Sequence, residues 1–221
     1  MSRDAFRPAF EQLPASLPIF PLANAVVMPG CQLPLNIFEP RYLNMVFDAL
    51  GGDRMIGIVQ PEGDAGPDQQ QVLFRVGTAG RISLFQETDD GRLLIMLSGV
   101  CRFAVGAEIP TTRGYRRMVV DWGPFQVDYD DIESDEGLRQ ELLGSLRDYF
   151  AQRSLEADWE SLERLGTREL LDRLVAGLPI SVAERQMLVE TVSFSQRLLR
   201  LNALLKCEIL PAAGSCPQRP Q

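Results

Sequence analysis

LPIFPLANAVVMPGCQLPLNIFEPRYLNMVFDAL, residues 17–50, is the stretch that decides the fold of this chain. Short apolar runs in its first half are separated by prolines, which fix φ and lack an amide donor and are therefore excluded from ordinary central strands. The runs LPIFPL, AVVMPG and QLPLNIF accordingly predict short extended segments that are bulged or lie at a sheet edge. The Pro29-Gly30 dipeptide predicts a turn between the last two runs.

A helix is predicted in the second half of the stretch. Pro40 suits its first turn, where the missing amide would have no helical partner anyway, and Gly51-Gly52 predicts a left-handed end. Apolar residues recur at helical spacing in between, which indicates one buried face. These residues are Leu43, Val46, Phe47 and Leu50.

Short strands without intervening helices are predicted from there to residue 121. Asp90-Gly91 is a hairpin signal, because both residues tolerate the positive φ of a type I′ turn, and further glycines separate the other runs. Such a succession predicts an antiparallel barrel or sandwich. The predicted strands are Arg54–Gln60, Val72–Val76, Arg81–Glu87, Arg92–Leu97, Cys101–Ala107 and Tyr115–Asp121.

The pattern becomes helical after Gly123-Pro124. Six acidic residues between Asp128 and Glu136 precede the first apolar helical face, and carboxylates suit the positive end of a helix. Capping boxes at Ser181-x-x-Glu184 and Ser193-x-x-Gln196 mark two further helix starts. We therefore predict a flexible arm over residues 1–13, a β-barrel module over 14–125, a helical bundle over 126–210 and a disordered tail over 211–221.

Composition excludes membrane-spanning and disordered proteins. The 221 residues are 45% apolar and 24% charged, as in globular domains. The longest apolar run, Leu93–Leu97, is far shorter than the ~20 residues that cross a bilayer. The N-terminal MSRDAFRPAFEQLPAS carries charges and prolines where a signal peptide requires an apolar segment, so we expect a cytoplasmic protein without membrane contact.

Catalytic and metal chemistry find little support in the residue types. The chain has no histidine, which excludes Ser-His-Asp and Cys-His centres. Its four cysteines form no CxxC pair, so no metal and no other cofactor is expected. The single lysine, Lys206, follows an amphipathic helical pattern and belongs to no phosphate-binding loop. We therefore predict that the chain is not an enzyme. Catalysis by a pair of carboxylates remains an alternative.

RNA binding is an alternative because residues 75–117 contain seven arginines and four acidic residues, a local charge of +3. The net charge of the whole chain is −8, however, and substantial affinity requires the neutralisation of several phosphates. Arginines on solvated strand faces, where they deter edge-to-edge pairing, are the favoured interpretation. Nucleic acid is therefore not an expected partner.

Several ordered motifs carry a resemblance to a known family. Leu17–Tyr42 closely resembles the start of the Lon protease N-terminal domain, and its IFEPRY (residues 37–42) resembles the form found in stand-alone Lon-domain proteins. The resemblance extends to Leu205 and implies an α+β fold, with a PUA-like antiparallel β-barrel and a short helix followed by a C-terminal α-helical bundle. Further similar segments are VGTAGRI (76–82), LSGVCRF (97–103), Leu178-Pro179 and ERQMLVE (184–190), where Arg185 replaces the commoner lysine.

The resemblance also implies a role in recognising substrate proteins. The ATPase and Ser–Lys peptidase domains of the full protease would follow this region, and the chain ends at Gln221, so we expect a stand-alone, non-catalytic domain. It would capture unfolded or exposed polypeptide segments in a groove beside residues 17–38, by strand addition or by apolar pockets. Docking of the acidic helical half on a separate protease, as an adaptor, remains the alternative. The candidate peptide-binding residues are Met28, Phe38 and Tyr42 for apolar contacts, and Glu39 and Arg41 for polar groups of the peptide.

Overall fold

Six β-strands form one mixed sheet in the computed structural model of the chain, which describes residues 6–23, 25–63, 71–130 and 136–209. The strands are β1 (Ser16–Pro21), β2 (Gln32–Ile37), β3 (Met55–Val59), β4 (Val76–Glu87), β5 (Leu93–Ile109) and β6 (Arg116–Asp121). Their order is β2-β5-β4-β3-β1-β6, and β5 also pairs with β6. This last pairing closes β5, β4, β3, β1 and β6 into a ring, while β2 pairs with the first half of β5.

The pairing of β1 with β3 is parallel, which differs from the purely antiparallel barrel that we predicted. Parallel neighbours need a long crossover connection. The chain between these two strands provides it, because it contains both β2 and the helix α1 (Pro40–Leu50). The predicted α+β class, with a strand-rich half followed by helices, is confirmed.

The strand prolines of the opening stretch lie at positions where no β-ladder requires an amide N–H. β2, which contains Pro34, is at the end of the strand order, as predicted. β1 lies between two strands, but it pairs with β6 over Ser16–Ile19 and with β3 over Ile19–Pro21. Pro18 is therefore outside the ladder with β3, and Pro21 is outside the ladder with β6.

Glycines that we predicted as breaks between strands lie inside β4 and β5, which are consequently longer than predicted. A Cβ atom at Gly77 would lie 2.6 Å from the carbonyl oxygen of Ile58, and one at Gly99 would lie 2.0 Å from the carbonyl oxygen of Met28. Glycine at these positions permits the close approach of a neighbouring backbone. The predicted strand Val72–Val76 is not formed as such. Val76 is the first residue of β4, and Leu73 forms an isolated antiparallel bridge with Pro61.

Helix α1 begins at Pro40 as predicted, but its buried face and its end differ from the prediction. Phe47 is 49% exposed, whereas Tyr42 packs its ring against Phe20 of β1. The predicted Leu43 and Leu50 are half-buried against the same core cluster. Gly51 has a right-handed φ of −75°, and the left-handed residue is Arg54 at φ 58°, whose amide donates to the Ala49 carbonyl. The buried side chains of α1 are Tyr42, Met45, Val46 and Ala49.

The second half of the chain is helical, as predicted. The capping box at Ser181 is confirmed: the Ser181 hydroxyl accepts from the Glu184 amide, and the Glu184 carboxylate accepts from the Ser181 amide. Residues 131–135 of the acidic run and the predicted tail lie outside the described residues. The helices are α2 (Glu136–Gln152), α3 (Trp159–Arg164), α4 (Thr167–Gly177), α5 (Val182–Glu190) and α6 (Phe194–Ile209), after a 3₁₀ helix at Gly123–Tyr129.

One segment of the strand-rich half packs into the helical core. Val26, Met28 and Cys31 are buried in the same cluster as the apolar faces of α2, α4, α5 and α6. This segment crosses β5 at Gly99, where the two backbones meet. Side chains of the two halves thus belong to one core cluster. The predicted module boundaries remain predictions.

Residues 6–13 contact the body of the protein. The Arg7 guanidinium donates to the carbonyls of Val100 and Asp128, and the Tyr129 hydroxyl donates to the Pro8 carbonyl. The ring of Phe10 packs 5.5 Å from that of Tyr129. This part of the chain, which we predicted as a flexible arm, is held by these contacts; residues 1–5 lie outside the described residues.

Candidate functional site

Three strands, β2, the first half of β5 and the end of β4, form a sheet region that the described residues cover on only one side. Successive residues of a strand point to opposite faces. In β5, Leu93, Ile95 and Leu97 are buried, whereas Leu94 is 40% exposed and Met96 is half-buried. The sheet therefore has an inner face against the core and an outer face towards solvent.

Apolar side chains line up across the outer face. Met96 of β5 pairs with Pro34 of β2 on one side and with Leu84 of β4 on the other, which places the three side chains in one row. Leu94 lies in the neighbouring row, between Asn36 and Gln86. Leu84 is 57% exposed.

Phe38 extends this surface beyond the end of β2. Its side chain is 62% exposed, and the Arg92 guanidinium carbon lies 5.9 Å from its ring centroid. Soluble proteins rarely expose contiguous apolar patches without a functional reason. We call these five residues the outer face: Pro34, Phe38, Leu84, Leu94 and Met96.

The five residues predicted as peptide contacts separate into two groups. Phe38 and Arg41 are exposed and Glu39 is half-buried, and the Arg41 guanidinium lies 2.8 Å from the Glu39 carboxylate. Tyr42 is buried against Phe20, with ring centroids 4.3 Å apart. Only the first group reaches the surface, and Phe38 belongs to the outer face.

Met28 is the clearest departure from the prediction. It is fully buried in the helical core, because the segment that carries it crosses β5 at Gly99 and packs against the helices. Its side chain therefore has no surface from which to contact a bound peptide.

Tyr42 is a buried phenol next to the exposed guanidinium of Arg41. Burial raises the pKa of the Tyr42 hydroxyl, and the positive charge of Arg41, whose guanidinium carbon lies 4.5 Å from the ring, acts in the opposite direction. A phenol with a raised pKa stays neutral at physiological pH. The Tyr42 ring packs as part of the apolar cluster around Phe20.

Sequence reasoning did not single out four of the outer-face residues, Pro34, Leu84, Leu94 and Met96. The available signal for Leu94 and Met96 was the run LLIML at residues 93–97, which is apolar on both faces of an extended strand. Such a run is typical of a strand covered on both sides. Here one of the two faces is left uncovered.

Five of the seven arginines between residues 75 and 117 form ion pairs or hydrogen bonds with other residues. Arg102 is fully buried and donates to the Asp128 carboxylate, which is also buried. Four others are engaged at the surface, three of them with carboxylates that offset their charge. These pairs are Arg92–Asp90, Arg113–Asp48, Arg116–Glu108 and Arg117–Ser16.

Membrane-spanning helices and metal-ligand clusters are both absent from the described ranges. Among residues 6–23, 25–63, 71–130 and 136–209, no helix is both long and apolar enough to cross a membrane. Within the same residues, no group of three or more acidic or cysteine side chains is placed to hold a metal ion.

Comparison with known sequences identifies related proteins over nearly the whole fold. The family model of the ATP-dependent protease La (LON) substrate-binding domain matches residues 16–207. Lon protease 2 of Myxococcus xanthus is 28% identical over 211 residues, which cover 90% of this chain and 25% of that protein. Lon protease of Anaeromyxobacter dehalogenans is 27% identical over 209 residues, which cover 90% of this chain and 24% of that protein. The chain thus spans about a quarter of the length of these relatives.

Solved structures agree with the sequence comparison. A Lon N-terminal domain protein from Xanthomonas campestris has a TM-score of 0.62 and 29% identity, covering 85% of this chain and 97% of that one. The N-terminal domain of the Mycobacterium avium complex Lon protease has a TM-score of 0.64 over 86% of this chain and 98% of that one, and at 20% identity it shows the fold alone. Together with the family match over residues 16–207, this shows that the chain belongs to the Lon substrate-binding domain family.

Proposed function

We propose that the chain binds unfolded or exposed polypeptide segments on its outer face, without catalysing a reaction on them. The observation that carries the proposal is the row Pro34–Met96–Leu84 together with Leu94 and Phe38, an apolar surface exposed to solvent. Apolar segments are exposed in unfolded proteins and hidden in folded ones, so such a surface discriminates between the two states. Membership of the Lon substrate-binding family supports a role in substrate recognition.

Glu39 and Arg41 provide polar contacts at the rim of this surface. Their ion pair is exposed, with 43% and 53% of the side chains accessible, so it contributes only ~0–1 kcal/mol to folding. Both groups can therefore turn to the polar groups of a bound peptide at little cost. Phe38, immediately before Glu39, supplies the apolar contact at this end.

Binding to an unfolded protein tests the proposal directly. Fluorescence anisotropy would compare reduced, carboxymethylated α-lactalbumin with its native, disulfide-bonded form. We expect saturable binding of the unfolded form alone. Equal affinity for both forms, or none for either, would contradict the proposal.

A double variant locates the surface. Leu84→Ser combined with Leu94→Ser should weaken binding by about 10-fold or more, because each half-exposed leucine buries further apolar area in the complex. Leu199→Ser is the matched control, since Leu199 on α6 is 48% exposed but lies on a helix in the other half of the chain. An unchanged affinity of the double variant, or an equal loss in the control, would place binding elsewhere.

A further inference from the structure

We propose that the bound segment pairs as an additional β-strand with the free edge of β4, residues 83–87, and that it is an apolar, proline-free segment with a lysine or arginine at the end beside Glu87. The inference rests on the proposed function and specifies how and by what chemistry the segment is recognised. Strand addition draws its affinity from backbone hydrogen bonds, and side chains on alternate positions select the sequence.

The backbone of β4 directs two residues away from β5. The Thr88 amide donates to the Arg92 carbonyl, so Thr88 faces β5. Because amide direction alternates along a strand, Leu84 and Gln86, which pair with Met96 and Leu94, face β5 as well. Phe85 and Glu87 therefore direct their N–H and C=O groups outward.

No neighbouring strand uses these outward groups within the described residues. The ladder between β3 and β4 reaches only to Arg81, and the last contact on that side is the Ile82 amide donating to the Arg54 carbonyl. A register shift between Ile82 and Leu84 then turns the end of β4 away from β3. As far as the described residues go, the edge over residues 83–87 is thus an unpaired position in the sheet.

The other edge of this sheet region, on β2, is less suited to pairing. The Gly99 amide donates to the Cys31 carbonyl, so Cys31 faces β5, and by alternation Gln32, Pro34 and Asn36 face outward. Pro34 has no amide to donate, which interrupts this edge at its centre. Natural proteins protect exposed edges with proline, charged side chains or bulges. Residues 83–87 (SLFQE) contain no proline, and their one charged residue, Glu87, lies at the end of the strand.

Side chains near β4 define what the added strand presents. Residues of the segment on the outer face would extend the row of Leu84, and those on the opposite face would contact Phe85, which is 49% exposed. Apolar residues are therefore favoured at successive positions. Glu87 and Asp89 are exposed at the hairpin end, whereas Asp90 is paired with Arg92, so a cationic residue at that end gains attraction.

Proline substitution tests the edge without removing β4 from the sheet. Phe85→Pro deletes only an outward amide, so the ladder with β5 keeps its hydrogen bonds. Fluorescein-labelled Gly-Lys-Leu-Val-Phe-Val-Leu-Gly is the probe. Because the loss of backbone hydrogen bonds outweighs that of one ring, we expect about 10-fold weaker binding to Phe85→Pro and a smaller loss with Phe85→Ala.

Asn36→Pro is the matched control, because it deletes an outward amide on the β2 edge. We expect it to bind the probe like the unmodified protein. Equal affinities of Phe85→Pro and Phe85→Ala, or a larger loss with Asn36→Pro, would overturn the assignment of the β4 edge.

The probe itself provides a test on the unmodified protein, should Phe85→Pro fail to fold. N-methylation of alternate residues of the peptide blocks the hydrogen bonds of one of its edges while keeping every side chain. The version methylated on the pairing edge should bind about 10-fold more weakly than the one methylated on the opposite edge. Equal binding of the two would exclude strand addition; if Leu84→Ser/Leu94→Ser still loses affinity, the proposed function stands without it.

Discussion

Asp172 of α4 lies in the helical core with its carboxylate fully enclosed. The nearest cation is Arg197 of α6, whose Nη1 is 3.5 Å from Asp172 Oδ1, and neither carboxylate oxygen has a hydrogen-bond partner among the described residues. Burial raises the pKa of Asp172 to about 6, although Arg197 opposes the shift. A buried pair without hydrogen bonds recovers little of its desolvation cost.

Stability should therefore fall as the pH rises through the pKa of Asp172. Below the ordinary aspartate pKa the side chain is protonated in both states; above it, the unfolded chain ionises first and the folded protein becomes relatively less stable. Between about pH 4 and 7, we expect the free energy of unfolding to drop by up to about 3 kcal/mol relative to Asp172→Asn. Urea unfolding of both proteins at stepped pH measures this difference, and a constant difference would contradict the expectation.

At the scale of elements, the crossing of residues 25–31 over β5 depends on Gly99. A Cβ atom there would lie 2.0 Å from the Met28 carbonyl oxygen, and backbone cannot move aside as a flexible side chain can. Gly99→Ala should therefore destabilise the protein by roughly 1–3 kcal/mol or more, as overpacked sites do. Thermal unfolding followed by circular dichroism measures the effect.

Gly144 in the middle of α2 is the matched comparison. A Cβ atom at this position meets nothing within 4 Å. Gly144→Ala should stabilise the protein by about 0.4–1 kcal/mol, because alanine is the better helix former and restricts the unfolded chain. If the two substitutions changed the melting temperature in the same direction, close approach at Gly99 would not be the determinant.

For the molecule as a whole, Arg102 of β5 connects the strand-rich and helical halves. Its guanidinium donates to the Asp128 carboxylate and also to the carbonyls of Val189 and Thr191, at the end of α5 and just beyond it. Those two carbonyl bonds measure 3.0 and 2.6 Å, and the Arg102 side chain is fully buried. One side chain thus fixes the end of α5 against the sheet.

Arg102→Met should cost about 3–5 kcal/mol of stability, since it leaves the Asp128 carboxylate buried without its cation. Arg113→Met is the control: its pair with Asp48 is half exposed and should contribute at most ~1 kcal/mol. Equilibrium urea unfolding compares the two variants. Similar losses of stability in both variants would show that the buried Arg102 contributes no more to stability than a half-exposed arginine does.

Local signals account for most of what could be predicted of the fold. The proline pattern indicated an edge strand, Pro40 marked the start of α1, and the capping box at Ser181 marked that of α5; each depends on backbone chemistry within a few residues. Glycine was the misleading signal, because Gly77 and Gly99 serve close packing between distant segments and not local turns.

The sequence by itself determined the α+β class, the order of strands before helices and the family, because these depend on local periodicity and on motifs contiguous along the chain. Only the tertiary structure decided that Met28 is buried, and that Leu84, Leu94 and Met96 line an exposed face. Alternation along a strand defines two faces, but which face is covered depends on segments far away in the chain. The candidate surface therefore became visible only once β2, β5 and β4 were placed side by side.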